Sequence, residues 1–458
     1  MVHRCVTKAS RSMDIYRKPV TMTQQRSSLV PIIFLGILFF IFGFVTWLNG
    51  TLIPYLRIAC DLSAFQASLV TFAFYISYFV MALPASEVLK RTGLKNGMML
   101  GLLVMAAGAL LFLPAAYSRS YLLFLIGLFV IGIGLTLLQT ASNPYITIVG
   151  PMESAAKRIS IMGICNKFAG ILAPMILGAV VLHDADQLTE RLAAMDAVAR
   201  EAQLAELALR VVMPYGLMAA ALVVLGVLVR WSPLPEVKAE GEGDGDHSWA
   251  GAFRAPQLML GAFALFLYVG VEVLAGDSIA VYAQRAGTPL SVAKLLTSVT
   301  LSAMLVGYVI GILTIPKWLS QQRALQGSAL AGIIITVCVA AMDPMTTMAL
   351  PIFDFASFHF VLAQLPVSVV CVALLGLANA LVWPAIWPLA IDGLGPATKT
   401  GSAILIMAIL GGALVMPVWT LMAGPTELAS AQAAYWLCLP CYLFIGWYAM
   451  KGSRMRAW

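Results

Sequence analysis

Runs of about 20 apolar residues, long enough to cross a bilayer as a helix, recur along the whole of this chain. Twelve can be counted, roughly at 29–55, 65–86, 97–116, 121–145, 158–182, 211–230, 257–283, 292–315, 325–342, 361–388, 399–422 and 432–450. Hydrocarbon offers no partners to backbone N–H and C=O groups, so each run must satisfy its own as a helix. The alternating pattern of a membrane barrel is absent. Composition agrees, with 61% hydrophobic and 11% charged residues, where a soluble domain carries about a quarter charged. The expected fold is an all-α membrane protein of twelve transmembrane helices in two six-helix bundles.

The division falls at 231–256, where Glu236, Glu240, Glu242, Asp244 and Asp246 lie among glycines. This is the composition of a solvated linker. The expected organisation is a tail at 1–28, a first bundle at 29–230, the linker at 231–256, a second bundle at 257–450 and a tail at 451–458. A weak internal repeat supports duplication. Gly134-Leu135 is followed by Asn143-Pro144, Gly150-Pro151 and Lys157, and Gly376-Leu377 by Trp387-Pro388, Gly395-Pro396 and Lys399. The basic start of the chain and the length of its first apolar run do not suit a cleaved signal. Met13 and Met22 are alternative starts.

Lys and Arg set the orientation. With the N-terminus inside, 20 of the 28 fall on the inner side and seven on the outer, with Lys167 inside the membrane. Both termini and the linker are therefore expected in the cytoplasm of a cell with the protein in its inner (plasma) membrane. The net charge of +7 is explained by this bias and calls for no nucleic acid. The partners expected are the lipid bilayer and a small solute. One outer loop, about 183–210, carries Leu188, Leu192 and Met195 at helical spacing and reads as a short amphipathic helix on the outer surface.

Polar residues inside such segments are costly and point to function. The fourth segment ends in Gly134-Leu135-Thr136-Leu137-Leu138-Gln139-Thr140-Ala141-Ser142-Asn143-Pro144-Tyr145. Gln139 and Asn143 are four apart and share a helix face, with Thr136 and Thr140 beside them, and Pro144 frees a backbone carbonyl nearby. Uncharged donors and acceptors of this kind suit a neutral hydroxylated molecule. They could equally join one helix to its neighbour. Asn49 closes a polar patch, Thr46-Trp47-Leu48-Asn49-Gly50, in the first segment. Trp383 and Trp387, each followed by proline, are four apart in the tenth. An aromatic face can stack on a sugar ring, although tryptophan in membrane helices is commonly an interfacial anchor.

Three charges lie within segments. Lys167 is about ten residues into the fifth, near mid-membrane at 1.5 Å per residue. Glu272 and Asp277 are in the seventh. Each charge costs about 2.5–3.5 kcal/mol at mid-depth if left alone, so Lys167 and Glu272 are expected to pair across the two halves. Asp277, nearer the outer end, is expected to be solvated at the mouth.

Several chemistries are disfavoured. His3, His183, His247 and His359 fall in tails, loops or segment edges, so no cofactor or metal cluster is expected. Cys438 and Cys441 sit in a hydrophobic run and read as apolar filler. No phosphate-binding G-x-x-x-x-G-K-[ST] motif and no hydrolytic triad occurs, so the chain is not expected to be an enzyme.

The loop Ser86-Glu87-Val88-Leu89-Lys90-Arg91-Thr92-Gly93-Leu94-Lys95 resembles the signature between the second and third helices of the major facilitator superfamily, with Lys90 where an acid is usual. Gln139-Thr140-Ala141-Ser142-Asn143-Pro144-Tyr145 with Gly150-Pro151 is similar to the fucose permease and glucose/galactose transporter family. Phe266-Leu267-Tyr268-Val269-Gly270-Val271-Glu272 and Thr398-Lys399-Thr400-Gly401-Ser402 match that family too. The resemblance covers about 30–450. It implies sugar contacts at Gln139, Asn166 and Trp383, a monomer, and symport with H⁺ or Na⁺. The fucose branch has carboxylates at the Gln139 and Gly50 positions and a glutamine at the Gly163 position. The amide at Gln139 resembles the glucose/galactose branch instead, leaving Glu272 as the intramembrane carboxylate for either ion. The function expected is hexose import by alternating access, with Gln139, Asn143, Asn166 and Trp383 on the sugar. N-acetylglucosamine or fucose as substrate, and a sugar sensor that does not transport, are the alternatives.

Overall fold

In the computed structural model, residues 29–148, 155–182, 184–232, 252–315, 317–354, 358–394 and 398–457 are described. The tail at 1–28, most of the linker (233–251), and the Gly150-Pro151 and Gly395-Pro396 exits lie outside the described residues. Among the described residues, twelve helices are long and apolar enough to cross a membrane, from Ile32–Ala59 to Leu428–Arg454. An even number of crossings puts the linker on the same face as the two ends of the helical array. That face is called the linker face below, and the opposite one the far face.

The helices are interrupted where the sequence weakens the backbone ladder. The first span is two helices, Leu29–Trp47 and Asn49–Ala59. The second and third run as Ala64–Leu110, with a break at Gly93, whose φ of 78° is a conformation that suits glycine. The tenth is Val367–Asn379 followed by Val382–Ile391, just ahead of Trp383-Pro384. The eleventh passes through a 3₁₀ turn at Ala408–Leu410.

Small residues let these helices touch backbone to backbone, the packing device that membranes favour. A Cβ on Gly101 would lie 2.7 Å from the carbonyl of Gly134, which joins the third span to the fourth. A Cβ on Gly43 would lie 1.8 Å from the carbonyl oxygen of Asn166, so the first span rests directly on the fifth at the residue before Lys167. The seventh span, Pro256–Arg285, is buried along most of its length. It forms the central post of the second half.

Two elements differ from the sequence expectation. The tenth span begins at Val367 rather than 361, and the chain is not wholly α. Thr347–Asp354 (β1) and His359–Pro366 (β2) pair antiparallel on the far face, from Thr347 opposite Pro366 to Asp354 opposite His359. The apolar sequence of β2 runs into the helix with no charge between them, so the two read as one segment. Alternation separates them: Ile352, Ala363 and Leu365 are buried while Phe360 and Leu362 are exposed, the period of a strand.

The long far-face loop holds two helices, Ala185–Ala194 and Ala197–Leu209, where one was expected. Asp196 ends the first and caps the second, its carboxylate accepting from the backbone N–H of Ala199 at 2.8 Å, as N-cap residues do. Leu188, Leu204 and Leu207 turn inward. The Tyr55 hydroxyl donates to the Leu207 carbonyl at 2.8 Å, and Arg210 pairs with Asp184 at 2.5 Å. All these contacts hold the loop to the first half.

Candidate substrate cavity

The two halves are not equally close along their interface. At the far face they interlock. Ser298 Oγ donates to the Ile171 carbonyl at 2.7 Å, and Lys294 Nζ to the Leu182 carbonyl at 2.8 Å. A Cβ on Gly50 would sit 2.5 Å from Thr297 Oγ1. Toward the linker face the halves part around a cavity of about 140 Å³, room for about five waters. The fourth, fifth, eighth and tenth spans line it from their linker-face halves, through Gln139, Asn143, Lys167, Tyr308 and Trp383 among others.

Gln139 and Asn143 both face the cavity. One end of the Gln139 amide is held by Tyr78, its Nε2 donating to the phenol at 3.1 Å. Asn166 is held in the same way, its Nδ2 donating to the Phe39 carbonyl at 3.4 Å. Each amide therefore keeps its other end for a ligand. Thr136 and Thr140 do not join this set. Their hydroxyls donate to the Gly132 carbonyl at 2.8 Å and the Thr136 carbonyl at 2.7 Å, within their own helix. The helix also runs past Pro144 to Ile148 without breaking.

Lys167 and Glu272 meet across the halves, Nζ to Oε1 at 2.5 Å. The ammonium also lies 4.6 Å from the centre of the Trp47 ring, a cation–π contact. These are the only charged side chains on the cavity wall among the described residues. Since they neutralise one another, the wall as a whole is polar but without net charge. That favours a neutral solute over an ion.

Trp383 lines the cavity with Pro384. Trp387 does not: it is buried behind Trp383, stacked at 5.5 Å with 25° between the planes, and acts as its backing. Asn49 is also off the cavity wall. The break at Leu48 turns it into the packed far-face half, where it is 1% exposed and its Nδ2 has no partner. Asp277 is not solvated at the mouth. It is 2% exposed and accepts a hydrogen bond from Thr71 Oγ1 at 2.8 Å.

Sequence reasoning did not single out the tyrosines. Tyr75, Tyr78, Tyr268 and Tyr308 all line the cavity, giving it aromatic walls and hydroxyl tips. Tyr75 and Tyr78 stack with 23° between their rings. A usable signal existed. Tyr268 lies four residues before Glu272 and so shares its helix face, and two tyrosines three apart deep in an apolar run are poorly placed to be interface anchors.

Residues 35–419 match the model of the Major Facilitator Superfamily. The chain belongs to that superfamily. Its relatives are named for sugars. A glucose/galactose transporter of Brucella abortus is 33% identical over 423 residues, 92% of this chain and 93% of the relative. The L-fucose-proton symporter of Escherichia coli is 30% identical, covering 86% and 87%. Among solved structures, the superfamily transporter FucP in its outward conformation superposes with a TM-score of 0.72 at 26% identity, over 94% of this chain and 100% of that one. Membership makes this chain a multi-pass membrane transporter of the fucose permease and glucose/galactose transporter branch, not an enzyme.

Proposed function

We propose that this superfamily member imports a hexose, glucose or galactose, by alternating access and symport with a cation. The observation that carries the reading is the cavity wall. It has amide ends left uncommitted on Gln139, Asn143 and Asn166, an aromatic platform at Trp383, and a charge pair that cancels itself. Hydroxyl groups need paired donors and acceptors when desolvated, and the C–H face of a pyranose ring suits an aromatic plane. The names of the relatives point to the same solute class. The carboxylates that the resemblance associates with fucose are absent at Gly50 and Gln139, which favours glucose or galactose over fucose.

The Lys167–Glu272 pair bridges the halves beside this wall, so it is the charged element whose contact changes as the halves rock. The Lys and Arg bias supports a linker face in the cytoplasm of the inner membrane. On that orientation the structure is closed to the outside and its cavity lies on the cytoplasmic side. A monomer holds all of the wall residues.

The test is radiolabelled glucose uptake into proteoliposomes under a proton or a sodium gradient, with galactose, fucose and N-acetylglucosamine as competitors. Accumulation driven by one gradient and blocked by galactose is the expected result. Stronger competition by N-acetylglucosamine or fucose would reassign the substrate. Sugar binding without accumulation under either gradient, from folded protein, would replace the transporter with a sensor.

A further inference from the structure

Of the two acidic side chains buried in the seventh span, Glu272 has its cation in Lys167. Asp277 has none. Among the described residues its polar contact is the Thr71 hydroxyl, which reaches it from the second span across the interface of the halves. It is 2% exposed and lies in the interlocked far-face part, next to Gly276, on which a Cβ would come 2.4 Å from the Trp47 ring. A carboxylate shut in this way, with one hydroxyl donor and no cation, is poorly compensated for the water it has lost. The neutral acid fits the closed far face, and the charged form fits a far face open to water.

We infer that Asp277 is the proton-binding site coupled to the far-face gate, protonated when the gate is closed and ionised when it is open. This rests on the symport reading above and places the proton that sets the far-face gate on Asp277 rather than on Glu272. The other groups around Asp277 do not substitute for it. The second span presents Thr71 and the Tyr75 phenol, which lines the cavity. The eighth presents Thr297, whose hydroxyl is spent on the Gly276 carbonyl, with Lys294 at its far-face end held by the Leu182 carbonyl. The twelfth presents Tyr435, bonded to Ser278. Val367–Asn379 of the tenth span and Gly411–Ala423 of the eleventh carry no Asp, Glu, Lys, Arg or His. On the seventh span itself, Glu272 lies on the cavity side, paired, and Arg285 at the far-face end donates to the carbonyls of Ala423 and Gly424. On the first span, Arg57 lies at the far-face end.

With the gate open, an Asp277 carboxylate oxygen takes a proton from far-face water. With it closed, the carboxyl keeps that proton while its oxygen accepts from Thr71 Oγ1.

The experiment uses the full chain, wild type and Asp277→Asn, in proteoliposomes with glucose. The wild type should accumulate glucose under a proton gradient. D277N, neutral at every pH, should hold the far face closed and lose glucose–glucose exchange and proton-driven accumulation together, each at least tenfold. D277N that still accumulates glucose, or wild type driven by sodium alone, overturns the inference. If the wild type moves no sugar at all, the substrate reading has failed, and hydrogen exchange on the sugar-free protein still decides this one. Protection of the far-face ends of the second, seventh and eighth spans should fall as pH rises from about 5 to about 9 and stay high at every pH in D277N. Wild-type protection independent of pH, after correction for intrinsic exchange, overturns it.

Discussion

The two ends of the interface between the halves are made of similar residues put to different uses. At the far face, one hydroxyl and one ammonium donate to backbone carbonyls of the opposite half, and glycines allow side chains to fill the remaining space. At the cavity, amides and phenols keep part of their bonding capacity unspent. Packing consumes polar groups and recognition leaves them free, so polarity alone does not mark a binding site in a membrane protein. Asn49 is the exception: its Nδ2 is unspent as well, so free capacity counts only where it meets the cavity. It is the same residue type as Asn166 and lies in the same half, yet it is sealed away by its position beyond a helix break.

The charge pair is the sharpest point of contrast, because it belongs to both regions: buried like a far-face contact and exposed to the cavity wall. Removing one partner leaves an uncompensated buried charge, which costs about 3–5 kcal/mol. Both side chains are only 9% exposed, so solvent offers little relief. Lys167→Met and Glu272→Gln singly should each lower thermal stability in detergent severely. Lys167→Met with Glu272→Met together should recover most of it, since a buried pair replaced by apolar groups is often neutral. Recovered stability with transport still lost would assign the pair to alternating access. A double variant no more stable than the worse single one would show that the two do not depend on each other.

A milder perturbation attacks the far face directly. Gly50→Val would push a side chain into Thr297, whose oxygen lies 2.5 Å from where a Cβ would go. Overpacking costs about 1–3 kcal/mol, and here the closed state bears it. A bias of 1.4 kcal/mol is about tenfold in population, so a cysteine in place of Ser298 should react about tenfold faster with a membrane-impermeant maleimide added at the far face. An unchanged rate in folded protein would mean that Gly50 and Thr297 do not hold the gate.

The twelve spans were legible because hydrocarbon forces a long apolar helix at each crossing, and few other patterns imitate that. Lys167 and Glu272 were legible as partners, although 105 residues apart, because an intramembrane charge of either sign needs the other. What could not be read depends on which way a helix turns after an interruption. The break at Leu48 carries Asn49 off the wall, and the break before Val382 presents Trp383 to the cavity and puts Trp387 behind it. Asp277 was misjudged for a related reason. Its depth along the span was clear, but its enclosure comes from Thr71 in another span, and depth does not reveal the neighbour. The hairpin was concealed because its second strand is as apolar as the helix it precedes.

The smallest effect tests whether the far-face gate is a packed interface or a set of surface ties. Arg200 pairs with Asp61 at 3.0 Å, but their side chains are 39% and 64% exposed, and a pair in such surroundings contributes about 0–1 kcal/mol. Both residues also belong to the first half, so the pair fastens the Ala197–Leu209 helix to the end of the first span and does not cross the gate. Arg200→Ala should therefore change thermal stability by less than about 1 kcal/mol and leave labelling of the Ser298 position unchanged. Faster labelling in Arg200→Ala would mean that the loop helices brace the gate from outside. The far face would then owe its closure to the surface as well as to the buried contacts of Gly50, Asp277, Lys294 and Ser298.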